Sequence, residues 1–342
     1  MPDLVVQRPE GLYCPPGDFY IDPWRPVARA VITHAHSDHA RLGHGDYLAS
    51  TQSEGVLRAR LGDIRLHSLP YGERILHNGV TLSLHPAGHV LGSAQVRLEH
   101  GGQVWVASGD YKVAPDPTCA AFEPVKCDVF ITESTFGLPI YRWCDDAELF
   151  AQVNGWWARN VEHNRASVLT CYSFGKAQRV LAGVDPSIGP IIVHGAVDPL
   201  NRAYREAGVA LPETHSAFTI ARNDIKRSLV VCPPGAAASP WMRRFGADAQ
   251  LAFASGWMQV RGNRRRGGYD RGFVLSDHAD WPGLLKAIGA TGAQRVIVTH
   301  GSSQAMVRFL IEQGLEAGSF ETEYGDDSVE ADATAGSEEA PT

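Results

Sequence analysis

Four side chains that commonly bind metal ions lie close together at His34, His36, Asp38 and His39. They follow a β-rich run, Arg29 to His34, that predicts a strand leading into an extended loop. Alternate residues of such a loop point the same way, so His34 and His36 can bind one ion. Asp38 and His39 then turn to the other side and can bind a second. Because imidazole and carboxylate ligands suit Zn, Mn or Fe, the segment predicts two divalent metal ions, Zn or Mn.

Three later residues can complete this candidate metal site. Two metal ions about 3.5–4 Å apart need a bridging carboxylate, and Asp110, in Ser-Gly-Asp, is the candidate bridge. His89 lies in Pro-Ala-Gly-His-Val-Leu-Gly-Ser, where flanking glycines allow the backbone to approach metal ions closely. His300 follows a predicted strand, Arg295 to Thr299, and precedes Gly301. The sequence therefore predicts a set of seven ligands.

This ligand series resembles that of the metallo-β-lactamase-fold hydrolases. The resemblance implies an α/β protein with the four-layer αββα arrangement of that fold. It implies a first metal ion bound by His34, His36, His89 and Asp110, and a second bound by Asp38, His39, Asp110 and His300. Asp38 is also counted among the catalytic residues. Asp22 matches an early aspartate that orients the histidine loop, although Asp-Pro is also a common turn pair.

Three further motifs resemble those of the β-CASP nucleases. They are Thr-Glu-Ser-Thr around Glu133, Ile-Ile-Val-His-Gly around His194, and Ser-Asp-His-Ala-Asp around His278. The resemblance implies that His278 protonates the leaving oxygen, that Glu133 orients His278, and that His194 contacts the scissile phosphate. An imidazole can deliver a proton near neutral pH, which agrees with the role of His278. For His194, a structural histidine at a strand end remains the alternative.

Longer segments resemble the bacterial ligase-associated DNA exonucleases, from about Leu12 to Tyr324. They are the segments 11–24, 171–179 and 275–281. The resemblance implies an exonuclease acting on DNA ends in DNA repair, with an ATP-dependent DNA ligase and a helicase as partners. Ser-Asp-His-Ala-Asp is also similar to a motif of RNA-acting members, so an RNA-processing nuclease stays open. A small-molecule (thio)ester hydrolase of the same fold and a scaffold without metal ions are further alternatives, and the intact ligand set argues against the scaffold.

The order of predicted elements suggests one domain interrupted by another. Short strands and turns fill the beginning, strands alternate with helical patterns in the middle, and the end returns to the first style. The sequence predicts a metallo-β-lactamase domain in two parts, residues 1–145 and 272–325, around an inserted β-CASP-like α/β domain at 146–271. Residues 326–342 are predicted to be an acidic disordered tail.

Candidate contacts for a phosphate backbone lie in the middle region. Ser173 and Lys176 stand where a strand leads into a helix, and free amides at a helix N-terminus bind phosphate. A plain helix cap by Ser173 is the alternative. Arg264 and Arg265 belong to a dense basic run, 261–266, that can track phosphates or form a solvated face.

Composition sets the remaining limits. The net charge of −7 comes from eight acidic residues after Phe320; the rest of the chain has 31 basic and 30 acidic residues. That near-neutral body neither requires nor excludes a polyanionic substrate. No apolar run is long enough to span a membrane, no signal core is visible, and the six cysteines form no Cys-x-x-Cys pair. We therefore expect a cytoplasmic protein with reduced thiols.

Overall fold

Short β-rich runs near the N-terminus form a first sheet. A computed structural model describes residues 2–260 and 268–321. The first sheet contains, in spatial order, β1 (Val6–Arg8), β2 (Gly11–Cys14), β3 (Phe19–Ile21), β4 (Arg29–Val31), β5 (Asp46–Ser50) and β6 (Leu66–Leu69). A short 3-10 helix (Thr51–Ser53) and α1 (Glu54–Leu61) connect its last two strands. The strands β3 to β6 pair in parallel, so the loop after β4 leaves from their shared carboxyl edge.

A second sheet joins segments from both ends of the chain. It contains β7 (Arg74–His77), β8 (Val80–Pro86), β9 (Ala94–His100), β10 (Gln103–Ala107), β11 (Val129–Glu133), β18 (Arg295–Thr299) and β19 (Glu316–Ser319). The spatial order is β19-β18-β11-β10-β9-β8-β7. The strands β9 and β10 pair antiparallel and form a hairpin around His100. Glu133 pairs in register with Thr299, which brings the residue before His300 beside Glu133.

Alternation along the second sheet gives it two apolar faces. Val129 and Ile131 belong to a buried cluster that also contains residues of the first sheet. Phe130, between them, belongs to a cluster with α7 (Trp281–Thr291) and α8 (Ser303–Glu312). Fully burying such a side chain contributes about 1.5–3 kcal/mol, so the strand is stabilised on both faces. The described residues thus form sheet, sheet and helices in layers, and a fourth, helical layer stays a prediction.

The middle of the chain forms a wholly parallel third sheet. Its strands are β12 (Ser167–Thr170), β13 (Ile191–Val193), β14 (His215–Ser216), β15 (Leu229–Cys232), β16 (Gln250–Ala254) and β17 (Arg271–Phe273). Their spatial order is β14-β13-β15-β12-β16-β17, and every pair is parallel. The connecting helices are α2 (Asp146–Glu162), α3 (Lys176–Gly183), α4 (Asp198–Glu206), α5 (Arg222–Ile225) and α6 (Pro234–Ala237), with 3-10 helices at Pro240–Phe245 and Gly256–Gln259. This sheet is buried on both faces, because Leu169 and Val168 enter different apolar clusters.

The chain divides into two compact units. The first takes in the residues up to Arg142 and those from Asp277 onward, and the second runs from Trp143 to Ser276. The sequence interpretation placed the return to the first domain at residue 272. β17 pairs with β16 and so extends the parallel sheet of the second unit, while the domain bounds themselves stay a prediction. Among the described residues, no helix has the length and apolarity needed to cross a bilayer.

Candidate metal centre

The histidine loop that follows β4 is anchored by Asp22. One carboxylate oxygen of Asp22 accepts a hydrogen bond from the backbone N of Thr33 (2.7 Å). The other oxygen accepts from the Thr33 hydroxyl (2.5 Å) and from Nδ1 of His39 (2.7 Å). Asp22 itself has a left-handed backbone, with φ of 44°. A non-glycine residue is rarely held there unless its surroundings determine it, so Asp22 is fixed at the base of the loop.

Three imidazoles are each held through Nδ1. His34 donates from Nδ1 to the Thr33 hydroxyl (3.1 Å), whose own proton goes to Asp22. Nδ1 of His39 donates to Asp22, and Nδ1 of His89 donates to the carbonyl oxygen of Asp277 (2.7 Å). When Nδ1 carries the proton, Nε2 of a neutral imidazole has a free lone pair. This is the tautomer in which Nε2 binds a metal ion.

The Nε2 atoms of these histidines converge on Asp110. Its Oδ2 lies 3.5 Å from Nε2 of His34, 3.4 Å from Nε2 of His39 and 3.8 Å from Nε2 of His89. Asp110 is buried on the loop after β10, next to Gly109. A Cβ at Gly109, whose φ is 55°, would lie 2.6 Å from the Thr33 side chain. Only glycine therefore lets the Asp110 loop approach the histidine loop this closely.

Three sets of candidate ligand atoms contain this aspartate, and two of them consist of predicted metal ligands. Within each set, one ligand atom per residue lies within 4.8 Å of every other. The two sets are His34, His36, His89 and Asp110, and Asp38, His39 and Asp110. Nδ1 of His36 lies 3.0 Å from Nε2 of His89, and Oδ2 of Asp38 lies 3.6 Å from Nε2 of His39. The sharing of Asp110 agrees with its predicted role as a bridge.

His300 lies beside these sets without joining them. Its ring stacks against that of His39 with the centroids 5.3 Å apart. Its backbone is left-handed (φ of 50°), and the Ser134 hydroxyl donates to its carbonyl oxygen (2.5 Å). In the described part of the chain, the 4.8 Å sets do not include His300. The structure thus places His300 next to the second set, and its role as a ligand stays a prediction.

The residues present fit divalent metal ions. Nε2 of His34 and Nε2 of His39 are buried and lack a hydrogen-bond partner among the described residues. Leaving such atoms unsatisfied costs free energy, which a bound cation would offset. Burial and the neighbouring imidazoles lower the pKa of His34 well below its usual value, which keeps it neutral. Burial raises the pKa of Asp110, but the positive charges of His39 and His278 outweigh it and hold this pKa well below the usual range. Burial lowers the pKa of His39, but the charges of Asp110, Asp38 and Asp22 outweigh it and raise this pKa well above its usual value, so His39 would have to release a proton to bind a metal ion. Imidazole and carboxylate are ligands that Zn and Mn accept.

Glu133 and His278 form an ordered pair beside the ligand sets. Glu133, buried at the end of β11, accepts from the backbone N of Tyr111 (2.8 Å). Nδ1 of His278 donates to the same carboxylate, 3.1 and 3.0 Å from its two oxygens. The ring of His278 lies 4.6 Å from that of His89. Burial lowers the pKa of His278, but the charges of Glu133, Asp110 and Asp277 outweigh it and raise this pKa to about 9. Nδ1 of His278 is thus engaged with Glu133, while its Nε2 lies 3.9 Å from Oδ1 of Asp277.

The predicted substrate contacts lie in the second unit. His194 follows β13, where its Nδ1 accepts from the backbone N of Ala196 (3.1 Å) and its ring packs 4.9 Å from Trp241. Because Nδ1 is an acceptor, the neutral ring carries its proton on Nε2. Burial lowers the pKa of His194, which favours that neutral form. A contact with the scissile phosphate stays a prediction.

The expectation of free amides at the start of α3 is wrong. The N–H of Gly175 donates to the Gln178 side chain (2.8 Å), that of Lys176 to Phe174 O (3.0 Å) and that of Ala177 to Tyr172 O (3.1 Å). The cap of this helix is Gly175, so the alternative of a cap by Ser173 is not realised either. Lys176 is buried, with Nζ 4.2 Å from the Tyr172 ring centroid. Substrate contacts by the Ser173 hydroxyl and the Lys176 ammonium stay predictions, and Arg264 and Arg265 lie outside the described residues.

Sequence reasoning missed several residues that position the ligands. Thr33 joins His34 to Asp22 through its hydroxyl, and the Asp277 carbonyl fixes His89. Arg60 of α1 donates to the carbonyl oxygen of Ala35 in the histidine loop. The position of Asp277 next to His278 was the only available signal for it. Backbone carbonyls and residues distant along the chain leave no local pattern.

This arrangement defines a candidate binuclear metal centre with an adjacent acid–base pair, on a mixed α/β scaffold with several sheets. No protein-family model matches the chain. The chain is 34% identical over 316 residues to a probable DNA ligase of Opitutus terrae, a match that covers 91% of this chain and 30% of the ligase. It is 30% identical over 125 residues to the cleavage and polyadenylation specificity factor subunit 3 of Dictyostelium discoideum, covering 35% of this chain and 16% of that protein.

Two other matches extend this comparison. An RNase J-like protein of Methanocaldococcus jannaschii is 28% identical over 117 residues, covering 32% of this chain and 27% of the relative. A crystal structure of a protein of unknown function from Enterococcus faecalis matches with a TM-score of 0.59 and 11% identity, covering 85% of this chain and 78% of that one. The latter likeness concerns the fold alone. The chain thus spans 30% or less of these curated relatives. Its homologues include nucleases of the metallo-β-lactamase and β-CASP type, which supports the family that the motifs resemble.

Proposed function

We propose that the protein is a metal-dependent phosphodiesterase that hydrolyses DNA from an end, as an exonuclease in DNA repair. The observation that carries the proposal is the pair of Glu133 and His278 beside the shared ligand Asp110. One ligand atom from each of these three residues lies within 4.8 Å of the others. A hydrolase of activated small-molecule esters needs no such acid, whereas the alkoxide that leaves a phosphodiester needs a proton.

The residues of the candidate metal centre would have different roles. His34, His36, His89 and Asp110 would hold one divalent ion, and Asp38, His39, Asp110 and His300 the other. Such ions supply Lewis-acid stabilisation of the phosphoryl charge and activate water. Asp22, Thr33 and the Asp277 carbonyl keep each imidazole in the ligating tautomer. His278, held at Nδ1 by Glu133, delivers the proton on Nε2 to the leaving oxygen.

DNA is the favoured substrate because a match that covers 91% of this chain is to a probable DNA ligase. That relative includes a segment homologous to nearly all of this chain, so a DNA ligase is the favoured partner, with a helicase by family resemblance. The second candidate is RNA processing. It is supported by relatives named as a cleavage and polyadenylation factor and as an endoribonuclease, although each covers less than half of this chain.

The test is cleavage of end-labelled single-stranded DNA and matched RNA, with Zn or Mn, by the wild-type chain and by His278→Ala. We expect DNA to be shortened from one end, and the variant to be about 10²–10⁴-fold slower with an unchanged metal content. His67→Ala, at a largely exposed histidine of the same unit, is the matched control and should retain activity. Cleavage of RNA alone would move the assignment to RNA processing. Cleavage of neither would refute the nuclease and favour a small-molecule ester.

A further inference from the structure

We propose that Phe218 and Arg244 form a stacking surface for an unpaired strand of nucleic acid, an inference that rests on the proposed nuclease function. The surface consists of Phe218, Trp241, Arg243 and Arg244, all in the second unit, and is called the Phe218 surface below. Phe218 has 69% of its area exposed. No other Phe or Trp in the described ranges 2–260 and 268–321 is classed as exposed.

Phe218 is already one half of a stack. The guanidinium carbon of Arg244 lies 3.9 Å from the centroid of its ring. A guanidinium over an aromatic face is a favourable contact, and it holds both flat groups in place. The guanidinium covers one face of the ring, and a base can stack on the opposite face of the ring or on the outer side of the guanidinium.

Among the described residues, neither arginine of this surface has a carboxylate partner. Within the part of the chain that the structure describes, no carboxylate oxygen lies within 4.0 Å of Arg243 or Arg244. Both side chains are exposed. The segment 215–245 has five Lys and Arg residues against one Asp. Arginines without a carboxylate partner can bind phosphates, and the exposed ring beside them can bind bases. A neutral protein partner would not require this combination.

The backbone below the surface is held by a helix cap and by a packed ring. Arg243 and Arg244 belong to the 3-10 helix Pro240–Phe245, whose start is capped by the Ser239 side chain. The ring of Trp241 packs 4.7 Å from Phe245, a residue with 1% exposure. A base that stacks on a fixed platform loses less free energy to ordering of the protein.

The surface also lies where open parallel sheets bind ligands. Phe218 comes two residues after β14, and the 3-10 helix follows β15 and α6. Both segments leave from the carboxyl edge of the parallel sheet, as does His194 after β13. Ligands of open α/β sheets bind outside the carboxyl ends of the strands. The occupant is an unpaired strand, because every internal base of a duplex already stacks on both faces and only the terminal pair offers a free one.

The test measures binding apart from cleavage. In a His278→Ala chain, fluorescence anisotropy would give the affinity for oligo(dT) of about 20 nucleotides, for oligo(U) of the same length, and for a blunt DNA hairpin. We expect Phe218→Ala to weaken binding of both single strands about 5- to 150-fold and to leave the hairpin unchanged. Phe218→Trp should retain affinity and show fluorescence quenching. Arg243→Ala and Arg244→Ala should each lower the salt slope by about 0.7.

Matched controls separate this inference from the proposed function. Arg202→Ala removes an exposed arginine of the same unit that pairs with Asp198, and it should leave single-strand binding unchanged. Hydrolysis of bis(p-nitrophenyl) phosphate by the Phe218→Ala chain carrying an intact His278 should equal that of wild type, because this ester needs no stacking surface. Wild type that fails on this ester and on DNA refutes the nuclease while the binding result stands. Phe218→Ala binding oligo(dT) as tightly as its parent, or losing hairpin and single strand equally, overturns the stacking surface.

Discussion

The histidine loop after β4 and the turn that begins α3 follow similar strands, but their polar side chains are bonded differently. Each follows a buried strand with parallel neighbours. In the first, hydrogen bonds fix Nδ1 of His34 and His39 and leave both Nε2 atoms facing Asp110. In the second, Gln178 binds the Gly175 N–H, the Ser173 carbonyl and the Asn201 side chain. In the histidine loop the hydrogen bonds leave ligand atoms available for a metal ion. In the α3 turn the polar groups form hydrogen bonds with one another.

The largest expected effect is at the shared ligand. Asp110→Asn removes the charge on which three imidazoles converge. We expect loss of bound metal and a fall in DNA cleavage greater than the about 10²–10⁴-fold loss for a general acid. Metal content by mass spectrometry and single-turnover cleavage measure both effects. Asp128→Asn, at a carboxylate of the same unit that accepts from Val104, is the control. Full metal content in Asp110→Asn would remove Asp110 from the centre.

Metal removal should change the stability of the two units differently. An ion bound only by the folded state at 100 to 1,000 times its Kd contributes about 2.7–4.1 kcal/mol of stability. The ligand residues all belong to the first unit. Chelation should therefore increase hydrogen exchange in β4, β10 and β11 and leave β12 and β15 unchanged. Equal loss of protection in both sheets would contradict a metal centre confined to the first unit.

A smaller effect is expected at the base of the histidine loop. Asp22→Asn keeps an oxygen for Thr33 N, but its NH₂ group faces the donors Thr33 Oγ1 and His39 Nδ1. His39 loses its orientation, and we expect metal affinity to fall about 10–100-fold. Asn tolerates the left-handed backbone, so the fold should persist. Asp18→Asn is the matched control, since Asp18 is also left-handed (φ of 52°) but lies outside the site. Competition titration with a chromogenic chelator gives the affinity, and equal values in both variants would refute the role of Asp22.

The smallest effect is expected at the start of α3. Ser173 holds Gln178 through its backbone carbonyl, which Ser173→Ala retains. The KM for DNA should change by about twofold or less, roughly 0.5 kcal/mol. Steady-state kinetics at several salt concentrations test this, with Ser187→Ala at an exposed loop as control. A large increase in KM confined to Ser173→Ala would instead make the hydroxyl a substrate contact and end the contrast between the two loops.

Much of the metal centre is predictable from the sequence because its information is local. The spacing of His34, His36, Asp38 and His39 follows a strand that the β-rich run also predicts, and β4 forms there. His89 and Asp110 stand on glycine-bearing loops, and the structure brings both to the cluster. The mixed α/β character of the chain is predictable for the same reason, since helix and strand periods are short-range.

The remainder depends on long-range contacts. The Asp277 carbonyl orients His89, and a carbonyl leaves no mark on residue type. The hydrogen bonds within the α3 turn depend on Gln178. Its partner Asn201 lies on another helix, α4. The assignment of β17 to the parallel sheet depends on pairing with β16, not on its own three residues. Local sequence propensity predicts each helix or strand but does not specify which other strand or residue it contacts.

The adjacency of β11 and β18 has a consequence for the order of folding. Glu133 is synthesised before residues 143–276, whereas its partner His278 and the neighbouring Thr299 are synthesised after them. Closing so long a loop is entropically costly, and a second unit that folds first shortens the effective loop. A nascent chain therefore holds most of its candidate ligands without its acid. The candidate acid and His300 thus join the cluster only after the strands of the parallel sheet have been synthesised.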